Sequence, residues 1–279
     1  MNNSSLYAYS AGKSFNALQP TVVFIHGAQH DHSVWTLQSR WFAHHGYNVL
    51  AFDRSGHGRS QGEAATSVKT MAQQLWTALN SRNIAQAHLI GHSLGSLIAL
   101  EMAGTAPERV LSVSLLGTAY PMKVSDTLLE ATKSDPATAL DMINAWSHSK
   151  AWGGFSQKPQ IMGPGSLSMW TNLRLMQRIA AKNGLHVLHA DFFACNAYAD
   201  ADSVIKALSC PTLIMNGDQD SMTPPKAAKV LAEKIPGAKL VILPNCGHAL
   251  MAEQPDRVLK ALITHIKQTE TTRFPMNSF

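Results

Sequence analysis

The chain has 279 residues, is 45% hydrophobic, and carries 23 Lys plus Arg against 18 Asp plus Glu, a formal net charge of +5. That composition excludes a disordered or collagen-like chain, and the basic residues are scattered rather than gathered into the patch that nucleic acid requires. At roughly 150 residues per domain the length fits one large domain or two small ones, and composition alone does not choose.

In chain order, short β-branched runs alternate with longer helix-period segments toward both ends, the pattern of a mainly parallel sheet covered by helices. The expected strands are Thr21 to His26, Tyr47 to Asp53, Ala87 to Gly91, Val110 to Leu116, Pro211 to Asn216 and Lys239 to Leu243. The expected helices are Val34 to His45, Val68 to Asn80, Ser93 to Thr105, Pro224 to Ile235 and Pro255 to Lys267. A continuous apolar strand such as Val22-Val23-Phe24-Ile25 suits a sheet buried on both faces. Between about Tyr120 and Ala207 no strand pattern appears, only amphipathic helices broken at Pro136, Gly153-Gly154, Pro159, Gly163-Pro164-Gly165 and Gly184. The chain therefore divides into a core of residues 1–119 and 208–279 with a helical insertion of residues 120–207. The insertion holds three of the six tryptophans and five of the 12 methionines. Core packing takes most such side chains, and some should face the cleft the insertion covers.

No apolar run approaches the ~18 residues of a membrane span. The start, Met1 to Tyr7, lacks the basic and apolar regions of a secretory leader, so a cytoplasmic protein is expected. Cys195, Cys210 and Cys246 are odd in number and have no CxxC spacing, which suits free thiols rather than a disulfide framework or a zinc site.

The strongest local signal is Gly91-His92-Ser93-Leu94-Gly95, directly after an apolar strand and opening an apolar helix, the setting of a nucleophile elbow. A G-x-S-x-G pentapeptide arises by chance in about one chain in ten of this length, so its context matters more than the letters. A serine hydroxyl needs a general base, and that base needs a third group to hold its tautomer. Asp218 and Asp220 share the loop after the strand Thr212 to Met215, and either could be a structural Asx residue. His248 follows another strand, in Pro244-Asn245-Cys246-Gly247-His248. Acyl transfer also needs two N–H donors for the developing oxyanion. The amides of Ala28, in His26-Gly27-Ala28-Gln29, and of Leu94, at the positive end of a helix, are the candidates.

With these elements in place the chain resembles the α/β-hydrolase superfamily, in the large group of esterases and related hydrolases with a helical cap. His26-Gly27 with Trp35 nine residues after His26 is similar to the family's H-G-x-G-x5-W segment. Asp53-Arg54-Ser55-Gly56-His57-Gly58-Arg59-Ser60 is similar to its D-x-x-G-x-G-x-S turn. Ala106-Pro107-Glu108-Arg109-Val110 and Gly247-His248 with Glu253-Gln254-Pro255 resemble its later connections. The resemblance implies an α/β-hydrolase fold: a mainly parallel twisted sheet flanked by helices, with an inserted helical cap. It implies Ser93 as nucleophile, His248 as base, Asp220 rather than Asp218 as acid, and Ala28 and Leu94 as the oxyanion hole. Gln29 departs from the pattern, because the family often has glycine there.

The expected reaction is hydrolysis of small to medium apolar carboxylic esters through an acyl-enzyme on Ser93, with no metal or organic cofactor. The expected partner is a small-molecule ester, not nucleic acid, and the chain is expected to be a monomer or homodimer. Trp146, Trp152, Met162, Trp170, Phe192 and Phe193 are expected to shape the substrate pocket, together with Gln29 and His92 beside the oxyanion donor and the nucleophile. Rival reactions are hydrolysis of a carbon–carbon bond in a ring-cleavage diketone, and lactonase, thioesterase, haloperoxidase or perhydrolase activity. The diketone hydrolases often carry Asn before the nucleophile and Trp soon after the histidine, where this chain has His92, Ala249 and Met251. A non-catalytic ligand receptor on the same fold is the alternative from outside enzymology. His26, His30 and His32, and His186 with His189, superficially suggest a metal cluster. His26 is better read as a turn-stabilising residue, the others as polar surface, and the Arg54–His57 loop as structural.

Overall fold

The computed structural model describes residues 6–150, 166–199 and 201–273. The first half runs through β1 (Ala8–Tyr9), β2 (Thr21–Ile25), a 3-10 turn (His32–Trp35), α1 (Thr36–His44), β3 (Asn48–Phe52), α2 (Val68–Asn80), β4 (Ala87–His92), α3 (Leu94–Thr105) and β5 (Val110–Leu116). Helices α4 (Asp126–Ser134), α5 (Pro136–Trp146), α6 (Ser166–Asn183), α7 (His186–Ala197) and α8 (Asp202–Ala207) follow. The chain then returns through β6 (Thr212–Gly217), α9 (Pro225–Lys234), β7 (Lys239–Leu243), α10 (Leu250–Glu253) and α11 (Pro255–Arg273).

The strands form one seven-stranded sheet in the order β1-β3-β2-β4-β5-β6-β7, parallel except for β1, which pairs antiparallel with β3. β1 was not expected: two residues are too few to show any alternation. The sheet is buried on both faces, as its apolar strands require, and the side-chain period of two divides them between two layers. Val23, Ile25, Leu89, Val113 and Leu115 pack with α2, α3 and α8. Val22, Phe24, Ile90 and Leu116 pack on the other side with α1 and α11. In α2, Val68, Met71, Ala72, Leu75, Trp76 and Leu79 recur at helical spacing and supply a single buried stripe. α3 is apolar around its whole circumference because α2 covers one flank and α7 and α8 another.

The helices between β5 and β6 have a small core of their own, made by Leu128, Ala139, Leu140, Ile143, Met176, Leu188 and Phe192. Asp135 ends α4 and caps α5, its side chain accepting from the Thr138 amide, and Pro136 occupies the first turn where its missing N–H costs nothing. β2 and β4 are neighbours, yet the chain leaves β2 toward β3 and leaves β4 toward β5. Their carboxyl ends diverge and open a crevice, the usual place for a ligand on such a sheet.

Candidate active site

Ser93 stands in that crevice, between the end of β4 and the start of α3, with φ +53° and ψ −123°. Such a conformation costs a residue with a side chain about 1–3 kcal/mol and persists only where the surroundings impose it. Here the Ser93 amide donates to Leu116 O at 2.9 Å, and Ser96 Oγ donates to Ser93 O at 2.6 Å. The flanking glycines are a packing necessity: a Cβ on Gly91 would collide with the Gly95 carbonyl, and one on Gly95 with the Ile25 carbonyl. Leu94 opens α3, so its amide has no acceptor within the helix, while its side chain is fully buried in the core.

The loops after β6 and β7 bring an acid and a histidine together. His248 Nδ1 lies 2.8 Å from Asp220 Oδ2. Asp220 Oδ2 also accepts from Thr223 Oγ1 at 2.7 Å, and Oδ1 accepts the amides of Met222 and Thr223 at 2.8 and 2.7 Å. Four donors on one buried carboxylate fix its orientation. Asp218 is used differently, accepting the Cys246 amide at 3.2 Å. The histidine loop is tied to the segment after α5 through Glu253, which accepts Gly247 N at 2.6 Å and both the amide and the hydroxyl of Ser149. Cys246 is fully buried there, and burial pushes its thiol well above the ordinary range.

A third segment, His26 to Gln29, leaves the end of β2. His26 Nδ1 donates to Gly27 O at 2.9 Å, and its Nε2 accepts the Arg54 amide at 3.1 Å, so His26 joins two loops. Burial, then the charges of Arg54 and His57, push this imidazole well below its ordinary range, which keeps it neutral. Gln29 takes φ +55°, a left-handed conformation that costs about 1–2 kcal/mol for any residue but glycine. Its side chain is fully buried and donates to Met176 O on α6 at 3.1 Å, and its amide donates to Asp191 Oδ2 on α7 at 2.8 Å. Asp191 also binds Arg54 through both oxygens, at 2.9 and 2.8 Å, and lies 2.9 Å from His57 Nε2. Burial raises the Asp191 carboxyl, but Arg54 and His57 outweigh it and hold it far below the usual carboxylate range. The sequence reading missed Asp191. Its signal is an acid in the middle of the apolar helix His186-Val-Leu-His-Ala-Asp-Phe-Phe, where only a paired charge is tolerable.

Ser93, His248, Ala28 and Thr223 line one cavity of about 570 Å³. Its remaining wall is largely apolar and comes from the insertion and nearby loops: Met122, Val124, Leu128, Trp146, Phe192 and Met222. Lys123 and Lys150 add charge. The expected pocket residues therefore divide. Trp146 and Phe192 line this cavity, whereas Phe193, the next residue on α7, is 45% exposed against His189. Trp170 is half exposed on α6 and lines a separate cavity of about 720 Å³, with His30, His92, Asn172 and Arg174. That second cavity is larger but has neither Ser93 nor His248 in its wall. His92 turns away from the first cavity and donates from Nε2 to His248 O at 2.9 Å. Burial, then the charges of His248 and His30, hold His92 well below its ordinary range. Gln29 is likewise an anchor under α6 and α7 rather than a cavity residue. Trp152 and Met162 lie outside the described residues.

His30 and His32 are not the surface residues expected. His30 faces Asn172 on α6 at 2.9 Å, and His32 donates to Asp53 Oδ1 at 2.8 Å between the rings of Tyr7 and Tyr9. Carboxylates do reach His32: one ligand atom each of Asp31, His32 and Asp53 fall within 4.8 Å of one another. Those oxygens already accept protein donors, Asp31 from Ser33 and Arg178, Asp53 from His32 and Arg59. The geometry is that of a loop anchor.

The strand order and the helices flanking the sheet agree with the family comparison. The model of the alpha/beta hydrolase fold matches residues 20–255, and the chain belongs to that family. Among curated relatives it is 29% identical over 254 residues to the putative carbamate hydrolase RutD of Klebsiella pneumoniae, covering 85% of this chain and 87% of that protein. It is 24% identical to 3-oxoadipate enol-lactonase 1 of Acinetobacter baylyi, covering 90% of each. Among solved structures, an esterase from Exiguobacterium antarcticum superposes with a TM-score of 0.77 at 21% identity, over 94% of each chain. No helix among the described residues is long and apolar enough to cross a membrane.

Proposed function

We propose that the protein is a serine hydrolase of small to medium carboxylic esters. Ser93 Oγ attacks the acyl carbon and passes its proton to His248, whose orientation Asp220 maintains. The amides of Ala28 and Leu94 hold the oxyanion. His248 then protonates the departing alcohol, and a water deprotonated by the same histidine cleaves the acyl-enzyme. The observation that carries this reading is the 2.8 Å contact of His248 Nδ1 with Asp220 Oδ2, beside a cavity whose wall also includes Ser93 and Ala28. A cavity of about 570 Å³ suits a small organic molecule, and its apolar wall suits an alkyl or aryl group. Helices between residues 120 and 207 act as a cap that supplies this wall.

Relatives named as a carbamate hydrolase and an enol-lactonase support a second reading on the same machinery, with a carbamate or a lactone in place of the open-chain ester. The test compares Ser93→Ala with the parent on p-nitrophenyl esters from acetate to decanoate, a γ-lactone and an N-aryl carbamate. A fall in kcat of about 10³ to 10⁶ on whichever class is turned over is expected. Full activity in the alanine variant would refute the reading, and the preferred class decides between its two forms.

A further inference from the structure

Two donors converge on one carbonyl of the oxyanion loop. Gly27 O accepts from His26 Nδ1 at 2.9 Å and from Arg54 Nη2 at 3.2 Å. In a trans peptide the carbonyl and the following N–H point in opposite directions, so holding Gly27 O also aims the Ala28 N–H. The next peptide is held from the other side, where the Gln29 N–H donates to Asp191 Oδ2 at 2.8 Å. Gln29, directly after the second of these peptides, is bent into its left-handed conformation, φ +55°, and has no intrinsic reason to stay there.

Arg54 does not choose its own position. Its Nη1 and Nη2 meet Asp191 Oδ1 and Oδ2 at 2.9 and 2.8 Å, a two-point pairing that fixes the plane as well as the distance. Asp191 is fully buried and sits on α7, 162 residues along the chain from Gln29. One carboxylate from the insertion thus secures both peptides of a core loop, one directly and one through Arg54.

We propose that Asp191 is the positioning residue of the oxyanion loop: carried in on α7, it locks Arg54 and the Gln29 amide so that the Ala28 N–H faces the cavity. The hole is then a joint product of core and insertion, complete only while α7 is seated. This rests on the proposed function, because it gives a purpose to the amide invoked there.

Asp191→Asn keeps the shape of the side chain. Its amide oxygen can replace Oδ2, but its NH2 group then opposes Arg54 Nη1, and the guanidinium loses its fork. With p-nitrophenyl butyrate, kcat per fluorophosphonate-titrated site should fall by about 10²- to 10³-fold, the loss typical of one oxyanion donor, while KM stays within about threefold. The inhibition constant of phenylboronic acid, whose tetrahedral adduct on serine carries an oxyanion, should rise with it. Asp191→Glu should restore part of kcat. Adding Gln29→Gly to the Asp191→Asn protein should also recover at least about tenfold, because glycine adopts the bent conformation without support. A purely architectural Asp191 would not respond to that second change. Unchanged kcat in Asp191→Asn, a parallel loss of kcat and KM, or a lower melting temperature with normal kcat per titrated site would each overturn the proposal. Should Asp191→Asn fail to fold, Arg54→Lys keeps the buried charge paired and drops the contact to Gly27 O. It must then show the same selective loss of kcat, and wild-type turnover would refute the proposal. Failure of the proposed function registers separately, as parent turnover that Ser93→Ala leaves intact, and would remove this inference with it.

Discussion

Replacing Asp220 by asparagine exchanges an acceptor for a donor without changing shape, and the hydrogen bonds around it dictate how the amide settles. Oδ1 receives two backbone amides, Met222 and Thr223, which cannot rotate away, so the amide oxygen stays on that side. The NH2 group then takes the place of Oδ2, 2.8 Å from His248 Nδ1. A donor there requires Nδ1 to accept, which moves the ring proton to Nε2, the nitrogen that must take the proton of Ser93. Inverting the tautomer in this way costs about 10⁴ in kcat in serine proteases, or about 5.4 kcal/mol at 1.36 kcal/mol per decade. Steady-state hydrolysis of p-nitrophenyl butyrate, normalised to titrated active sites, should show that loss in kcat with KM nearly unchanged. A variant within tenfold of the parent, or one whose loss lies in KM, would refute the assignment of Asp220 as the orienting acid.

Phe192 is nearly buried and forms part of the cavity wall. Phe192→Ala should move the preferred acyl chain toward longer esters, read as the ranking of kcat/KM from acetate to decanoate, and an unchanged ranking would place the acyl group elsewhere. Glu253 ties Gly247 N and Ser149 together. Glu253→Ala should lower kcat by about tenfold and the melting temperature by about 2–4 °C, the shift expected for 1 kcal/mol in a chain of this size. Burial lowers His265 from 6.5 to about 4. The unfolded chain therefore takes up a proton there that the folded chain refuses. This contribution is intact above pH 6.5 and lost as the pH falls toward 4, about 2 kcal/mol of it between pH 7 and 5. Urea unfolding at the two pH values registers it together with the other buried imidazoles, and His265→Gln should reduce the difference by about that amount.

The parts of the fold legible in the sequence are those where one physical demand dominates. Val22 to Ile25 suited a doubly covered strand, and Gly91 and Gly95, set between a strand and a helix, suited a turn too tight for a Cβ. The candidate acid and base were visible because each follows a strand on the same edge. Choosing Asp220 over Asp218 needed the resemblance, since both are short carboxylates in one loop and only the course of the backbone separates them. Trp170 and Phe193 were misplaced for a related reason: helical periodicity identifies an apolar face but not which neighbour covers it. Asp191 stayed hidden because its partners, Arg54, His57 and Gln29, lie at least 134 residues away in sequence.

β7 is the last strand of the sheet, unpaired on its outer side among the described residues, and Lys239 to Ile242 are partly exposed. It is also the strand whose following loop bears His248. The proposed base thus hangs from one margin of the sheet, while the serine stands near its centre. On the proposed function, an opening confined to that margin would part the base from a serine that the sheet still holds.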